Sequence, residues 1–221
     1  MAGLSVAQLV AMRLYTSHSF PAINLPLRKQ TKPHPLPATV MCISEGLKAL
    51  RALDAESGTA GEEEETHPRP TNFANANIFH FVWPAPKATA ERVEKPRKES
   101  ATVVMEFYRG FTDTQVTGEF RSNGGTEFAP MSTTTDVEVA CGYAIRKRET
   151  GGALLMKIVT ENNLQRGADV RFLSMFPDEA ETLFPPLTFM QPTGKEQVME
   201  FKLPGGGSLK LCIIEVKTTL P

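Results

Sequence analysis

Two glutamates separated by one residue, Glu179 and Glu181, lie in a short stretch bracketed by Phe176-Pro177 and Phe184-Pro185-Pro186. In an extended segment, residues two apart point to the same side, so this spacing predicts two carboxylates aimed in parallel. Like charges on one face repel. The repulsion is tolerable where one carboxylate stabilises a developing positive charge and the other handles a cationic or proton-bearing partner. Composition alone can also place two glutamates this way, so the pair needs companions.

Two earlier stretches carry suitable residue types. Glu106-Phe107-Tyr108-Arg109-Gly110 closes a β-patterned run. An arginine at a strand end presents a planar fork to a phosphate, and a following glycine lets a ligand approach the backbone. Arg-Gly is a common dipeptide, and alone it is weak. Phe128-Ala129-Pro130-Met131-Ser132-Thr133-Thr134, followed by Val139-Ala140-x-x-Tyr143-Ala144, places a run of hydroxyls at a strand end. Such hydroxyls are short, precise donors and acceptors, and they are equally ordinary at a helix start or in β-prone sequence.

Taken in order, Arg109, Ser132-Thr133-Thr134 and Glu179-x-Glu181 resemble the signature of the arginine-specific mono-ADP-ribosyltransferases, a class known by its Arg, Ser-Thr-Ser and Glu-x-Glu motifs. The stretch from Phe176 to Pro185 is similar to that family's turn-turn loop and the strand after it. Tyr15-Thr16, Ile23-Asn24 and Leu27-Arg28 resemble its N-terminal helical subdomain. The likeness covers residues 1–54 and 101–216. One departure is Thr134, where the family's second motif ends in serine; the hydroxyl is kept and a methyl added.

The resemblance implies an α+β, ADP-ribosyltransferase-like fold, with a helical N-terminal subdomain and two facing β-sheets forming a cleft for NAD. It implies transfer of ADP-ribose from NAD to an arginine on an acceptor protein, with nicotinamide released and no metal required. Breaking the nicotinamide–ribose bond creates an oxocarbenium-like centre, as in glycoside cleavage. Glu181 would stabilise that centre and bond the ribose hydroxyl. Glu179 would orient the acceptor guanidinium and take its proton, because a charged arginine is a poor nucleophile. Arg109 would hold the phosphates, and Gly110 would leave room for nicotinamide amide contacts to the backbone. Ser132 would hold the ribose or the catalytic glutamate in register, with Thr133 and Tyr108 completing the cofactor-binding set. Tyr108, Phe111 and Phe176 could each stack on a planar ring. Aromatics at strand positions are also core material, so only Tyr108 is counted in the site.

Other readings of the same residues stand beside this one. Glu181 could be an ordinary salt-bridge partner of Arg109. An NAD glycohydrolase would use water at the same centre, and an inactive NAD-binding regulatory module would keep the fold without turnover.

Composition narrows the alternatives. The chain of 221 residues is 41% hydrophobic, enough for one domain or a domain with a small subdomain, and its formal net charge is −1. That balance gives no electrostatic case for nucleic acid or an anionic membrane. Cys42, Cys141 and Cys212 are far apart and odd in number, which suits free thiols in a reducing compartment. His18, His34, His67 and His80 are isolated, so no metal spacing is present. No apolar run approaches the ~20 residues that span a bilayer. No basic residue precedes the apolar stretch near the N-terminus, which argues against a signal peptide. The expectation is a soluble, cytoplasmic protein.

The elements that must position these residues follow from periodicity. Leu4, Ala7, Val10, Ala11 and Leu14 predict a first helix, and Ile43, Leu47, Leu50 and Leu53 a second over 40–53. Five prolines between residues 21 and 37 predict a loop linking them. Residues 55–100 read as a divergent, partly disordered insertion or linker, rich in Gly, Glu and Pro up to about residue 70, with an aromatic segment over 73–83. From residue 101 to 221 the period changes to two, as expected for a β-rich catalytic core. Strands are expected over 102–108, 128–131, 153–159, 169–173, 187–191, 197–202 and 209–216, the last two joined through Gly205-Gly206-Gly207. The helical signal in this half is confined to 136–148, with Asp136 as N-cap.

Overall fold

The computed structural model describes residues 3–57, 104–112, 114–145, 152–202 and 208–221. Most of the expected 55–100 insertion, including its aromatic segment, and the Gly205-Gly206-Gly207 connection lie outside the described residues.

The chain begins with three helices. Helix α1 (Val6–Tyr15) opens with a capping box in which the Gln8 backbone N–H donates to the Ser5 hydroxyl (3.3 Å) and the Gln8 side chain accepts from the Ser5 N–H (2.8 Å). These bonds occupy amide donors that have no partner within the helix. Helix α3 (Pro37–Ser57) is longer than expected at both ends. Between them the expected loop is instead helix α2 (Phe20–Arg28). Pro21 sits in its first turn, where the missing N–H would be unpaired anyway, and burial of Ile23 and Asn24 outweighs the presence of Pro26 inside the helix. Met12, Tyr15, Ile23, Ile43 and Leu47 form a core with Ala168, Val170 and Leu183 from the β half.

The β half comprises β1 (Met105–Thr112), α4 (Gly118–Asn123), β2 (Gly125–Glu127), β3 (Met131–Thr134), α5 (Val137–Ile145), β4 (Gly152–Thr160), β5 (Ala168–Asp169), β6 (Glu181–Phe184), β7 (Thr188–Lys202) and β8 (Ser208–Thr219), with 3-10 turns at Asn163–Gln165 and Pro177–Glu179. Helix α4 escaped the periodicity because it is a six-residue turn capped by Thr117 and stopped at Gly124 (φ 71°). Of the expected 128–131 strand only Met131 is in a strand, opening β3, the rest forming the link from β2, and β5 keeps only the first residue of the 169–173 strand. The two strands expected at 187–191 and 197–202 are one, β7, with a register shift between Pro192 and Glu196 where Gly194 takes φ 83°. Pro and Gly interrupt the alternation there without ending the strand.

Hydrogen bonding links all the strands in the order β2-β7-β8-β4-β1-β3-β6-β5. The link between β1 and β3 rests on a single pair, Tyr108 opposite Thr134. Two limbs meet there, a long one (β2-β7-β8-β4-β1) and a short one (β3-β6-β5). They share a core: Met131 and Phe184 from the short limb pack with Phe107, Leu154, Met156, Ile158, Ile214 and Val216 from the long one. The rings of Phe107 and Phe184 meet edge to face at 5.5 Å across the junction. The expected facing sheets are thus two limbs of one continuous mixed sheet in an α+β fold. Helix α5 covers the other side of the long limb through Ala140, Cys141 and Ala144.

Candidate active site

Ser132 lies on β3 and Glu181 opens β6, its neighbour, where the register sets Leu183 opposite Ser132 and Glu181 opposite Thr134. The Ser132 hydroxyl donates to Glu181 Oε1 at 2.7 Å. The Ser132 carbonyl accepts from the Arg109 guanidinium at 2.6 Å. A backbone group and a side chain of one residue therefore hold the arginine of β1 and the glutamate of β6. Among the described residues no ion pair joins Arg109 to Glu181 directly, so the simple salt-bridge reading is not what the geometry contains.

A third hydroxyl completes the carboxylate's surroundings. Ser174, in the loop between β5 and the Pro177–Glu179 turn, donates to Glu181 Oε2 at 2.9 Å. Each oxygen of Glu181 thus has its own serine. The residue is 8% exposed, and burial pushes its pKa above the ordinary carboxylate value. The two serine bonds and Arg109 act against that rise, while the charge of Glu179 adds to it. A carboxylate that stays solvent-poor yet hydrogen-bonded is suited to interact strongly with a positive charge nearby.

Glu179 is in a different setting. The expectation of one extended segment with parallel carboxylates is not met, because Pro177–Glu179 forms a 3-10 turn and Ala180 takes a left-handed conformation (φ 47°, ψ 47°). Only Glu181 belongs to a strand. Glu179 turns to helix α5, where the Tyr143 hydroxyl reaches both its oxygens at 2.8 and 3.0 Å. The turn separates a buried carboxylate from a half-exposed one.

Arg109 is half-buried. Its guanidinium lies 5.1 Å from the centre of the Phe111 ring, and its Nε is buried with no hydrogen-bond partner. Burial lowers its pKa, and the nearby Tyr15 hydroxyl, Glu127 and Glu181 raise it. An orphaned donor on a desolvated cation is a site waiting for an acceptor. Phe111 also lines a cavity of about 320 Å³, together with Arg28, Glu127, Phe128 and Met131.

The remaining expected residues are not in this cluster. Tyr108, next to Arg109 on β1, packs instead against the α5 side and donates to Glu106 at 2.6 Å. Burial and that carboxylate raise its pKa. Gly110 is required by the same helix: a Cβ there would lie 2.0 Å from the Ala140 carbonyl oxygen and 2.6 Å from the Ala144 nitrogen. The absence of a side chain there lets α5 pack on β1. Thr133 donates to the Thr182 carbonyl at 2.8 Å and stitches β3 to β6. Thr134 accepts from the Asp136 N–H at 2.9 Å, and Asp136 caps α5 as expected through the Glu138 N–H at 2.8 Å. Conversely, Phe111 joins the site although it was set aside as core, and Tyr143 and Ser174 enter it unforeseen. No local pattern marks Ser174, which reaches Glu181 only by the path of the loop.

The helical layer supports the arrangement from outside. The Tyr15 hydroxyl donates to the Pro130 carbonyl (2.7 Å) and accepts from Asn24 (3.2 Å); burial raises its pKa to about 12. Arg28 forms a two-pronged pair with Glu127 at 3.0 and 2.9 Å. Arg13 donates to the carbonyls of Leu173 and Ser174 at 2.7 and 2.5 Å. Among the described residues no group of three or more His, Cys, Asp or Glu side chains could hold a metal ion. No described helix is long and apolar enough to cross a membrane.

No protein-family profile matches the sequence, and no curated protein matches it either. Solved structures do share its architecture. The chain is similar to Plx2a, an ADP-ribosyltransferase toxin from Paenibacillus larvae, with a TM-score of 0.51 and 14% identity over 98% of this chain and 87% of that one. It is similar to the Vis toxin, an ADP-ribosyltransferase from Vibrio splendidus, with a TM-score of 0.54 and 16% identity over 98% and 74% of the two chains. The eukaryotic mono-ADP-ribosyltransferase ART2.2 gives 0.53 and 15% over 100% and 69%. At such identities the likeness is one of fold, and the fold is that of the ADP-ribosyltransferases.

Proposed function

We propose that this chain is a mono-ADP-ribosyltransferase that takes NAD as its substrate and transfers ADP-ribose to an arginine of an acceptor protein. The observation that carries the reading is the Glu181 carboxylate, buried and held by two serines, beside an arginine whose Nε lacks a partner. NAD supplies an ADP-ribosyl group bonded through its anomeric carbon to a good leaving group, nicotinamide.

The protein's own groups divide the work. Arg109 offers its unpaired N–H to a phosphate oxygen, while its hydrogen bond to the Ser132 carbonyl fixes the guanidinium plane. The cavity beside Phe111 and Arg28 accommodates part of the dinucleotide. Glu181 faces the positive charge that develops at the anomeric carbon as the bond to nicotinamide breaks and its electron pair leaves with the ring. Such preorganised stabilisation is worth about 10²–10³ in rate when one group is removed. Glu179, less buried, accepts the proton of the attacking guanidinium as its nitrogen bonds to that carbon. Its contact with Tyr143 holds it on the outer side of the turn, where an acceptor protein arrives.

The test is incubation with labelled NAD and agmatine, following nicotinamide release and label transfer. Wild type is expected to do both, and Glu181→Ala to lose both by about 100-fold or more. Glu179→Gln is expected to lose transfer and keep part of the release. Release without transfer in the wild type replaces this reading by a glycohydrolase. NAD binding with neither replaces it by a binding module, seen as a raised melting temperature without nicotinamide.

A further inference from the structure

We propose that Ser174 is a second positioning residue for the Glu181 carboxylate, acting as the counterpart of Ser132 and held in place by the N-terminal helix through Arg13. The inference rests on the proposed reaction for its catalytic consequence, and on geometry alone for the contact itself.

The Ser174 hydroxyl both donates and accepts. It donates to Glu181 Oε2 (2.9 Å) and accepts from the Phe176 N–H (3.0 Å), so its proton has one direction to point. The residue is 5% exposed, which removes competing water. Its backbone is fixed from α1: Arg13 donates to the carbonyls of residues 173 and 174, and the Met175 N–H donates to the Thr16 hydroxyl at 3.2 Å. Ser132 pins Oε1 from the sheet, and Ser174 pins Oε2 from the loop. Two donors from different directions fix the carboxylate plane, which one donor would leave free to rotate.

The charged groups facing Glu181 are Arg109 from β1, Glu179 from the turn and, more weakly, the Tyr15 hydroxyl from α1. Both serines stabilise the ionised form against burial. Loss of one therefore raises the pKa further, and an activity that needs ionised Glu181 moves its acid limb toward higher pH. A hydrogen bond to a charged group corresponds to about one pH unit.

The experiment compares wild type, Ser174→Ala and Ser174→Thr in the full chain. First, the Glu181 side-chain carboxyl is titrated by ¹³C NMR in glutamate-labelled protein, its resonance identified by its disappearance in Glu181→Gln. Second, nicotinamide release is measured against pH. Ser174→Ala is expected to raise the Glu181 midpoint and the acid limb by about one pH unit. It should also lower kcat about tenfold, with KM for NAD nearly unchanged, and Ser174→Thr should restore both. An unmoved carboxyl midpoint overturns the proposal, even if the rate falls, because a merely structural role would do the same. If wild type releases no nicotinamide, the proposed function fails while the titration still decides the contact. Should Ser174→Ala not fold, Ser174→Cys, similar in size and a weak donor, takes its place with the same expected shift.

Discussion

The two limbs of the sheet are built on different terms. In the long limb β4 and β8 stay in parallel register from Gly152–Lys210 to Val159–Lys217, and β1 lies along β4 from Met105 to Thr112. In the short limb β3 and β6 have four residues each and β5 two. Strands that short do not hold one another in water. Their support comes from the helices, through Tyr15 on Pro130, Arg13 on Leu173 and Ser174, and the shared core around Ile23 and Leu47. Ser132 and Glu181 both sit on the short limb. The long limb is a platform carrying Arg109, whereas the geometry around the buried carboxylate is set from a separate layer. Such an arrangement lets the site be adjusted without unfolding the platform.

The contrast can be broken most severely on the platform. Gly110→Ala puts a methyl group against backbone atoms of α5 at 2.0 and 2.6 Å, and backbone cannot move aside as a side-chain tip can. The expected loss is about 3 kcal/mol or more in urea unfolding, with activity lost through the fold. If Gly110→Ala keeps its unfolding midpoint, α5 is not locked to β1 and the platform is less rigid than its register implies.

A weaker change on the helical layer sharpens the contrast. Tyr15→Phe leaves the Pro130 carbonyl and the Asn24 amide without their buried partner, at an expected cost of about 1–3 kcal/mol. The distribution of the effect matters more than its size. Amide hydrogen exchange in β3 and β6 should accelerate, while β4 and β8 stay protected. Uniform acceleration in both limbs would mean that they unfold as one unit and that the helices support neither in particular.

The same division explains what could be read in the sequence. Helix α3 buries the face expected of it, and β4 and β8, buried on both faces, read as near-continuous apolar runs. Helix α1 was legible as a helix but not in its orientation: of the expected stripe Val10 and Leu14 are exposed, and Ala11, Met12 and Tyr15 face the core. Helix α2 was not legible, because Pro21 and Pro26 read as breakers, and only tertiary burial of Ile23 and Asn24 overrides them. For the candidate site, the residue types and order of Arg109, Ser132 and Glu181 picked out three residues that the structure brings together. Tyr108 lies on the α5 side of β1 while Arg109 faces Ser132, because neighbours on a strand point to opposite sides, an arrangement the alternation already contained. The parallel carboxylates failed on one dihedral, at Ala180, that no spacing rule foresees. Ser174 reaches Glu181 through a loop whose course depends on Arg13 and Thr16, residues about 160 positions earlier. Contacts of that kind have no local signal.

Ala180 itself offers the mildest perturbation. A non-glycine residue in the left-handed region is strained by about 1–2 kcal/mol, and Ala180→Gly relieves this. The same substitution gives the unfolded chain more freedom, worth about 0.4–1 kcal/mol in the opposite direction. The two effects nearly cancel, so the melting temperature should stay within a few degrees of wild type. The chemistry should not be indifferent. Ala180 sets the angle between a carboxylate fixed by two serines and one bonded to the exposed Tyr143 hydroxyl. With glycine there, the clamped Glu181 stays in place and Glu179 wanders. Nicotinamide release should hold near the wild-type rate while transfer to agmatine falls a few-fold, the reverse of a change that damages the short limb. Equal losses in both would show that the turn, and not the serines, holds Glu181, and the distinction between a clamped and a free carboxylate would have to be given up.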